Sequence, residues 1–139
     1  MNATDISVGS ALPVLSTGRI TRHRIACYAH GSGDLNPIHV DSDFAREKAG
    51  LPDVIVHGMY SMGMLSRLVT QWAGVGSVRS IETRFAAMLP VHASLECSGH
   101  VDAVAPAEGG VLATVLLAAR QADGTVVASG SAVVFVKSE

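Results

Sequence analysis

HGMYSMGMLSRLVTQWAG, residues 57–74, is the stretch on which the fold turns. Met59, Met62, Leu65, Val69 and Trp72 recur at a three-to-four spacing, and Tyr60, Met64 and Leu68 form a second apolar row beside them. That spacing predicts an α-helix, and a helix apolar nearly all round is expected to be buried. Gly74 and Gly76 supply its end.

Beyond this helix the period changes. SIETRFAAML, ASLECSGHVDAV, VLATVLLAARQA and TVVASGSAVVFV are rich in Val, Thr, Ile and Phe. Ser94, Glu96 and Ser98 alternate with Leu95, Cys97 and Gly99, the mark of a strand with one wet face. Asp123-Gly124 between the last two runs is a hairpin turn signal, and PAEGG at 106–110 reads as a looser turn. Long antiparallel strands following one buried helix predict an α+β domain, its sheet curled around that helix.

Before the helix the elements are shorter. Residues 10–19 read as an irregular first strand. TRHRIACYAH reads as a short helix with Thr21 as N-cap, Ile25 and Tyr28 on one face, and Gly31 as the stop. DSDFAREKAG reads as another, capped by Asp41 or Ser42 and ended by Gly50. Between them stands SGDLNPIHVD, residues 32–41, expected in non-helical backbone. Pro37 there has no N–H and pushes Asn36 out of the α region.

Composition narrows the function. The 139 residues suggest one domain over 1–139, large enough for a hydrophobic core without disulfides. Apolar residues make up 48% and charged ones 16%, so part of the surface is expected to be covered by a partner subunit. A formal charge of −2 with no Lys/Arg cluster argues against nucleic acid and against a membrane face. The start is polar, without a signal-peptide core, and no apolar run reaches the ~18 residues of a membrane span. Cys27 and Cys97 match no zinc or redox spacing and read as reduced core thiols of a cytoplasmic protein.

An acid, an amide, a proline and an imidazole crowd into residues 34–39. A calcium loop starting at Asp34 fails, because Ile38, His39 and Ala45 stand where an oxygen ligand, Gly and Glu belong. For a transition metal, Asp34, His39 and Asp41 offer ligands, but no second His follows at helical ligand spacing, and His57 would have to converge from elsewhere. No metal site is therefore expected. There is no G-x-S-x-G elbow and no P-loop. Asp34 and Asn36 also suit a plain turn that caps backbone groups. A second point of interest is His57-Gly58. If Gly58 opens the long helix, a ligand oxygen can reach its N–H with no Cβ in the way; equally, the glycine simply makes the bend. Taken together, Asp34 and His39 as proton-transfer groups and Gly58 as oxyanion donor suit proton movement next to a carbonyl.

These residues carry a resemblance. YAHGSGDLNPIHVDSDFA and VIVHGMYSMGMLSRL, continued in TRFAAMLPV, resemble the MaoC-like, hot-dog-fold (R)-specific enoyl-thioester hydratases and 3-hydroxyacyl-thioester dehydratases of fatty-acid metabolism. The likeness runs from about residue 8 to residue 136 and is closest to single-domain dehydratase subunits. It implies the long helix as sausage and the antiparallel sheet as bun. It also implies that Asp34 and His39 form a water-activating dyad, that Asn36 shapes the turn, and that Gly58 binds the thioester oxygen. Ser66, nine residues after His57, would support the active-site hydrogen bonds. The implied partners are an acyl thioester of CoA or of acyl-carrier protein and a second hot-dog subunit, identical or different; no cofactor is implied. Alternatives are a non-catalytic hot-dog subunit and an acyl-CoA thioesterase.

The chain departs from the family pattern after Pro90-Val91, where HASL replaces a Gly-Asp turn and leaves the connection at His92 and Ala93 open. Met59, Met62, Met64 and Met88 suit an adaptable acyl pocket, but core packing is the stronger expectation for them.

Overall fold

The computed structural model describes residues 5–138; the first four residues of the polar start, and Glu139, lie outside the described residues. A short strand β1 (Leu15–Ser16) precedes helices α1 (Arg22–Ser32), α2 (Pro37–Val40) and α3 (Ser42–Glu47). Strand β2 (Ile55–Val56) leads into the long helix α4 (Gly58–Ala73), followed by β3 (Val78–Phe85), β4 (Leu89–Pro90), β5 (Glu96–Ala107), β6 (Gly110–Arg120) and β7 (Val126–Lys137).

Five strands make one antiparallel sheet in the order β1-β5-β6-β7-β3, and β2 pairs with β4 in a separate two-stranded ribbon. Register shifts between Val101 and Ala103, between Ala119 and Arg120, and between Val78 and Ser80 bend the long strands. The sheet thereby wraps α4, which packs on β3, β5, β6 and β7. Leu65, Leu68 and Val69 from the helix share one core with Val101, Val115 and Val134 from the sheet. Buried alanines at 113, 119, 128 and 132 let the helix come close. This is the α+β hot-dog fold expected from the helix and the strand runs behind it.

Several local readings need correction. Helix α1 starts at Thr21, whose hydroxyl accepts from the Arg24 N–H at 3.2 Å, but it passes through Gly31 and ends at Gly33, φ 77°. The residue that closes a helix by turning left-handed is the one that needs glycine, and here that is Gly33. Pro37 does not leave the motif without helix. It is the first residue of α2, where a missing N–H costs nothing, and Asn36 caps it from a non-helical conformation. PAEGG is not a loose turn: Ala107 pairs with Gly110, so Glu108-Gly109 alone closes the hairpin, and Pro106 belongs to β5.

Helix α4 is also not buried all round. Met59 is 55% exposed, and Gly63 and Arg67 are exposed with it. Of the four methionines, Met64 is half-buried and packs against the core as expected, whereas Met62 is half-buried outside it and Met88 is 62% exposed. Cys97 is buried as expected, but Cys27 faces solvent on α1. The open connection after Val91 is a tight bend with His92 at φ 71°, its N–H bonded to the Ile20 carbonyl at 2.8 Å. Among the described residues, no helix is long and apolar enough to cross a membrane.

Candidate active site

Local chemistry folds the segment 32–41 into two linked turns. The Asp34 carboxylate accepts from the Asn36 N–H at 3.3 Å, and the Asn36 side-chain oxygen accepts from the Ile38 N–H at 3.2 Å. Each side chain thus satisfies a backbone donor two residues on, and Pro37 fixes the start of α2 between them. The result puts His39 at the end of a single helical turn, 8% exposed, while Asp34 stays at the surface.

Hydrogen bonding then sets the state of His39. Its Nδ1 lies 2.8 Å from the Ile55 carbonyl in β2. A carbonyl oxygen only accepts, so Nδ1 carries the proton and Nε2 keeps a free lone pair. That Nε2 stands 3.9 Å from the Asp34 carboxylate. The spacing is too long for a direct hydrogen bond. Both groups accept, and a water donating to both fits at about 2.8 Å from each.

The long helix begins beside them. His57, its N-cap, is 1% exposed, and its ring stacks on His39 with centroids 3.7 Å apart. His57 Nε2 donates to the Asp34 carbonyl at 3.0 Å. Burial, and the charge of a protonated His39, hold the His57 imidazole below its usual range, although the bond to the Asp34 carbonyl acts the other way. Tyr28 contacts the His57 ring from the other side, at 4.9 Å, and burial together with the Asp34 charge raises its phenol.

Gly58 is the first residue of α4, so its N–H has no intrahelical partner and stands at the positive end of the helix. A cavity of about 450 Å³ opens here, lined by His39, Gly58 and Ser61 together with Ile55, Phe85 and Met88. The Phe85 ring lies 3.4 Å from where a Cβ on residue 58 would stand, so a side chain there would rest against the ring and narrow the approach to the Gly58 N–H. The His39 imidazole and the helix N-terminus line one mostly apolar cavity, with the Asp34 carboxylate 3.9 Å from His39 Nε2; together these groups can hold a water, move its proton and bind an oxyanion.

Asp34, His39 and Gly58 are brought together as expected from the sequence. Asn36 sits in the same turn with its side-chain oxygen committed to Ile38. Ser66 is not brought to the cavity: its hydroxyl donates to the Met62 carbonyl at 2.9 Å, one turn back in its own helix. The Ile55 carbonyl and Ser61 were not expected at the site, and His57, considered only as a metal ligand that would have to converge from elsewhere, does converge and stacks its ring on His39. Ser61 follows Gly58 by three places on a helix, which puts both on one face, and that spacing was the available signal.

Asp34, His39 and His57 also offer metal-ligating atoms within 4.8 Å of one another. To ligate through Nε2, His57 would have to give up its bond to the Asp34 carbonyl, and the remaining groups fall short of the three or four ligands of a zinc site on that side.

Known proteins bear on this geometry. The chain is 30% identical to the (R)-specific enoyl-CoA hydratase of Aeromonas caviae over 135 residues, 96% of this chain and 98% of that one. It is 35% identical over 96 residues to the fatty acid synthase subunit beta of Saccharomyces cerevisiae, 67% of this chain. It spans only 3 to 5% of the length of the fatty acid synthase beta subunits it matches. Among solved structures, the ChsH1-ChsH2 complex from Mycobacterium tuberculosis superposes with a TM-score of 0.82 at 27% identity, covering 94% of this chain and 98% of the matched one. The MaoC like domain model matches residues 9–117, which takes in the turn of Asp34, the helix of Gly58 and most of the sheet. The chain belongs to this MaoC-like family of hydratases and dehydratases of fatty-acid metabolism.

Proposed function

We propose that the chain, read as one MaoC-like domain over residues 1–139, hydrates trans-2-enoyl thioesters to (R)-3-hydroxyacyl thioesters and catalyses the reverse dehydration. The observation that carries this reading is the free His39 Nε2 lone pair 3.9 Å from the Asp34 carboxylate, at a cavity shared with the first N–H of α4.

In hydration, Asp34 and His39 hold one water between them. Its oxygen bonds to Cβ of the enoyl group while one of its protons passes to His39 Nε2. The electron pair of the double bond moves toward the thioester, and negative charge grows on the carbonyl oxygen. The Gly58 N–H meets that oxygen, a donor worth about 3 kcal/mol of barrier in comparable sites. A proton from the dyad then closes Cα, so the elements of water are added and the site is restored. Imidazole is the side chain suited to taking and returning a proton around neutral pH. None of these steps calls on a metal or redox cofactor.

We place the protein in the cytoplasm, acting on a CoA or carrier-protein thioester, and paired with a second hot-dog subunit, identical or different. Among the described residues, strand β3 has one unpaired edge in the sheet, and Phe85 and Met88 at the cavity mouth are 47% and 62% exposed, surfaces a partner would cover.

The test is turnover by the purified chain on enoyl-CoAs of increasing length, followed at the enoyl absorbance, with chiral analysis of the product. Hydration to the (R)-alcohol is expected. Release of free thiol without hydration would point to a thioesterase, and no turnover of any enoyl-CoA or carrier-protein thioester would sink the reading.

A further inference from the structure

His57 links the parts that carry the dyad and the helix start without lining the cavity itself. Its ring lies against the His39 ring at 3.7 Å, with 23° between the planes. Its Nε2–H reaches back across 23 residues to the backbone carbonyl of Asp34. Its own carbonyl accepts from the Tyr60 N–H at 3.1 Å, which closes the first turn of α4. The next peptide unit carries the Gly58 N–H. A residue that only capped the helix would turn its side chain onto the first-turn donors, yet His57 makes no side-chain cap bond.

We infer that His57 is a positioning residue, whose neutral Nε2–H imidazole ties the Asp34 segment to the start of α4 and gives His39 the flat wall that aims its Nε2. This rests on the hydratase reading above. A neutral ring is needed, because a charged one would repel His39 whenever His39 takes a proton. The titratable groups facing His57 are His39, Asp34 and Tyr28; burial is the largest influence on it and favours the neutral form. The tautomer follows from the bond to the Asp34 carbonyl, and it leaves Nδ1 unprotonated. That Nδ1 is buried with no protein partner among the described residues, so it is Nε2 that the site uses.

Two substitutions separate the two tasks. His57→Phe keeps an aromatic wall against His39 but loses the donor to Asp34; His57→Gln keeps an amide donor but loses the ring. With crotonyl-CoA as the probe, His57→Phe is expected to lower kcat about 100-fold, the cost of a misplaced catalytic group. KM should stay within about threefold, since ground-state binding is untouched. His57→Gln should recover part of that loss by restoring the tie. The ring nitrogens of His57 in the wild-type protein, read by 15N NMR at neutral pH, should show the neutral tautomer protonated at Nε2. Wild-type kcat in His57→Phe, a loss carried by KM alone, or a His57 protonated at Nδ1 would each overturn the inference. A His57 protonated at Nδ1 overturns the inference even where a variant fails to fold. A wild-type chain inactive on all enoyl thioesters would instead overturn the hydratase reading, with the tautomer still measured independently.

Discussion

The His39 Nε2 and the Asp34 carboxylate face each other across 3.9 Å, two acceptors separated by the span of one bridging water. Neither can donate to the other while His39 spends its Nδ1 proton on the Ile55 carbonyl. Losing either acceptor should therefore leave the water without its base. Asp34→Asn is the gentler change, because the amide oxygen can still accept from the Asn36 N–H and hold the turn. Asp34→Asn and His39→Ala should each lower kcat/KM for crotonyl-CoA by about 100- to 10,000-fold, the range for a lost acid–base group. Far-UV circular dichroism should stay unchanged. Full activity in either purified variant would refute the dyad.

Ser61 lies wholly buried on the cavity side of α4, and its hydroxyl has no protein partner among the described residues. An unpartnered buried hydroxyl weakens the fold, and alanine is the better helix former. Ser61→Ala should therefore raise stability by about 1 kcal/mol, read as a higher melting temperature of the free protein. A lower melting temperature would mean that the hydroxyl has a partner in solution.

Much of this arrangement was legible in the chain, and what was not has a common cause. The Thr21 cap, the glycine stop at Gly74 and the Asp123-Gly124 turn are local devices, so their residues announce them. Asp34, His39 and Gly58 could be picked out because proton transfer and oxyanion binding need those residue types. The Ile55 carbonyl and the His57 ring could not, because their roles arise from contacts across 16 and 23 residues of chain. They depend on β2 pairing with β4, a ribbon only two residues long on each side, too short to leave a period in the sequence. The exposed face of α4 was misread for another reason: an apolar count says how much surface wants cover, not whether this chain or another provides it.

His92 holds a left-handed backbone conformation, φ 71°, a region that favours glycine. For a residue with a Cβ that conformation costs about 1–2 kcal/mol. Glycine removes the cost but loses about 0.5–1 kcal/mol through its freer unfolded chain. His92→Gly keeps the bond from its N–H to the Ile20 carbonyl. The net expectation is a gain of about 0.5–1 kcal/mol, seen as a higher urea midpoint with an unchanged slope. A loss would mean that the His92 ring holds the bend by contacts of its own.

The two cysteines should behave differently toward a thiol-reactive dye. Cys27 is exposed on α1, with its sulfur 3.6 Å from His23 Nε2. Cys97 is fully buried in β5, and burial pushes its thiol up to about 11. The thiolate is the reacting species, so the native protein should take up dye quickly at Cys27 alone, and at both sites only after unfolding. Rapid labelling of both in the native state would show that β5 opens readily beside β1.

Asp53 joins three segments that frame the site. Arg22 in α1 donates to its two carboxylate oxygens, Arg46 in α3 reaches one of them at 3.3 Å, and the Val54 N–H donates at 2.7 Å just ahead of β2. The Arg22 hydrogen bonds, then the Val54 N–H, and then the charges of Arg22 and Arg46 hold the Asp53 carboxyl well below its ordinary value of 3.8. A carboxyl whose value is lower in the folded than in the unfolded chain binds fewer protons when folded. Its contribution to stability is therefore present in full above the unfolded value and is lost as pH falls through the acid range beneath it. Asp53→Asn removes that contribution at every pH. The stability gap between wild type and Asp53→Asn, from urea unfolding, should be constant between about pH 5 and 7 and narrow steadily below about pH 4. The group is partly exposed, so added salt should shrink the gap at neutral pH as well. A gap that widened on acidification would show that the carboxyl is not held in its charged form by these partners.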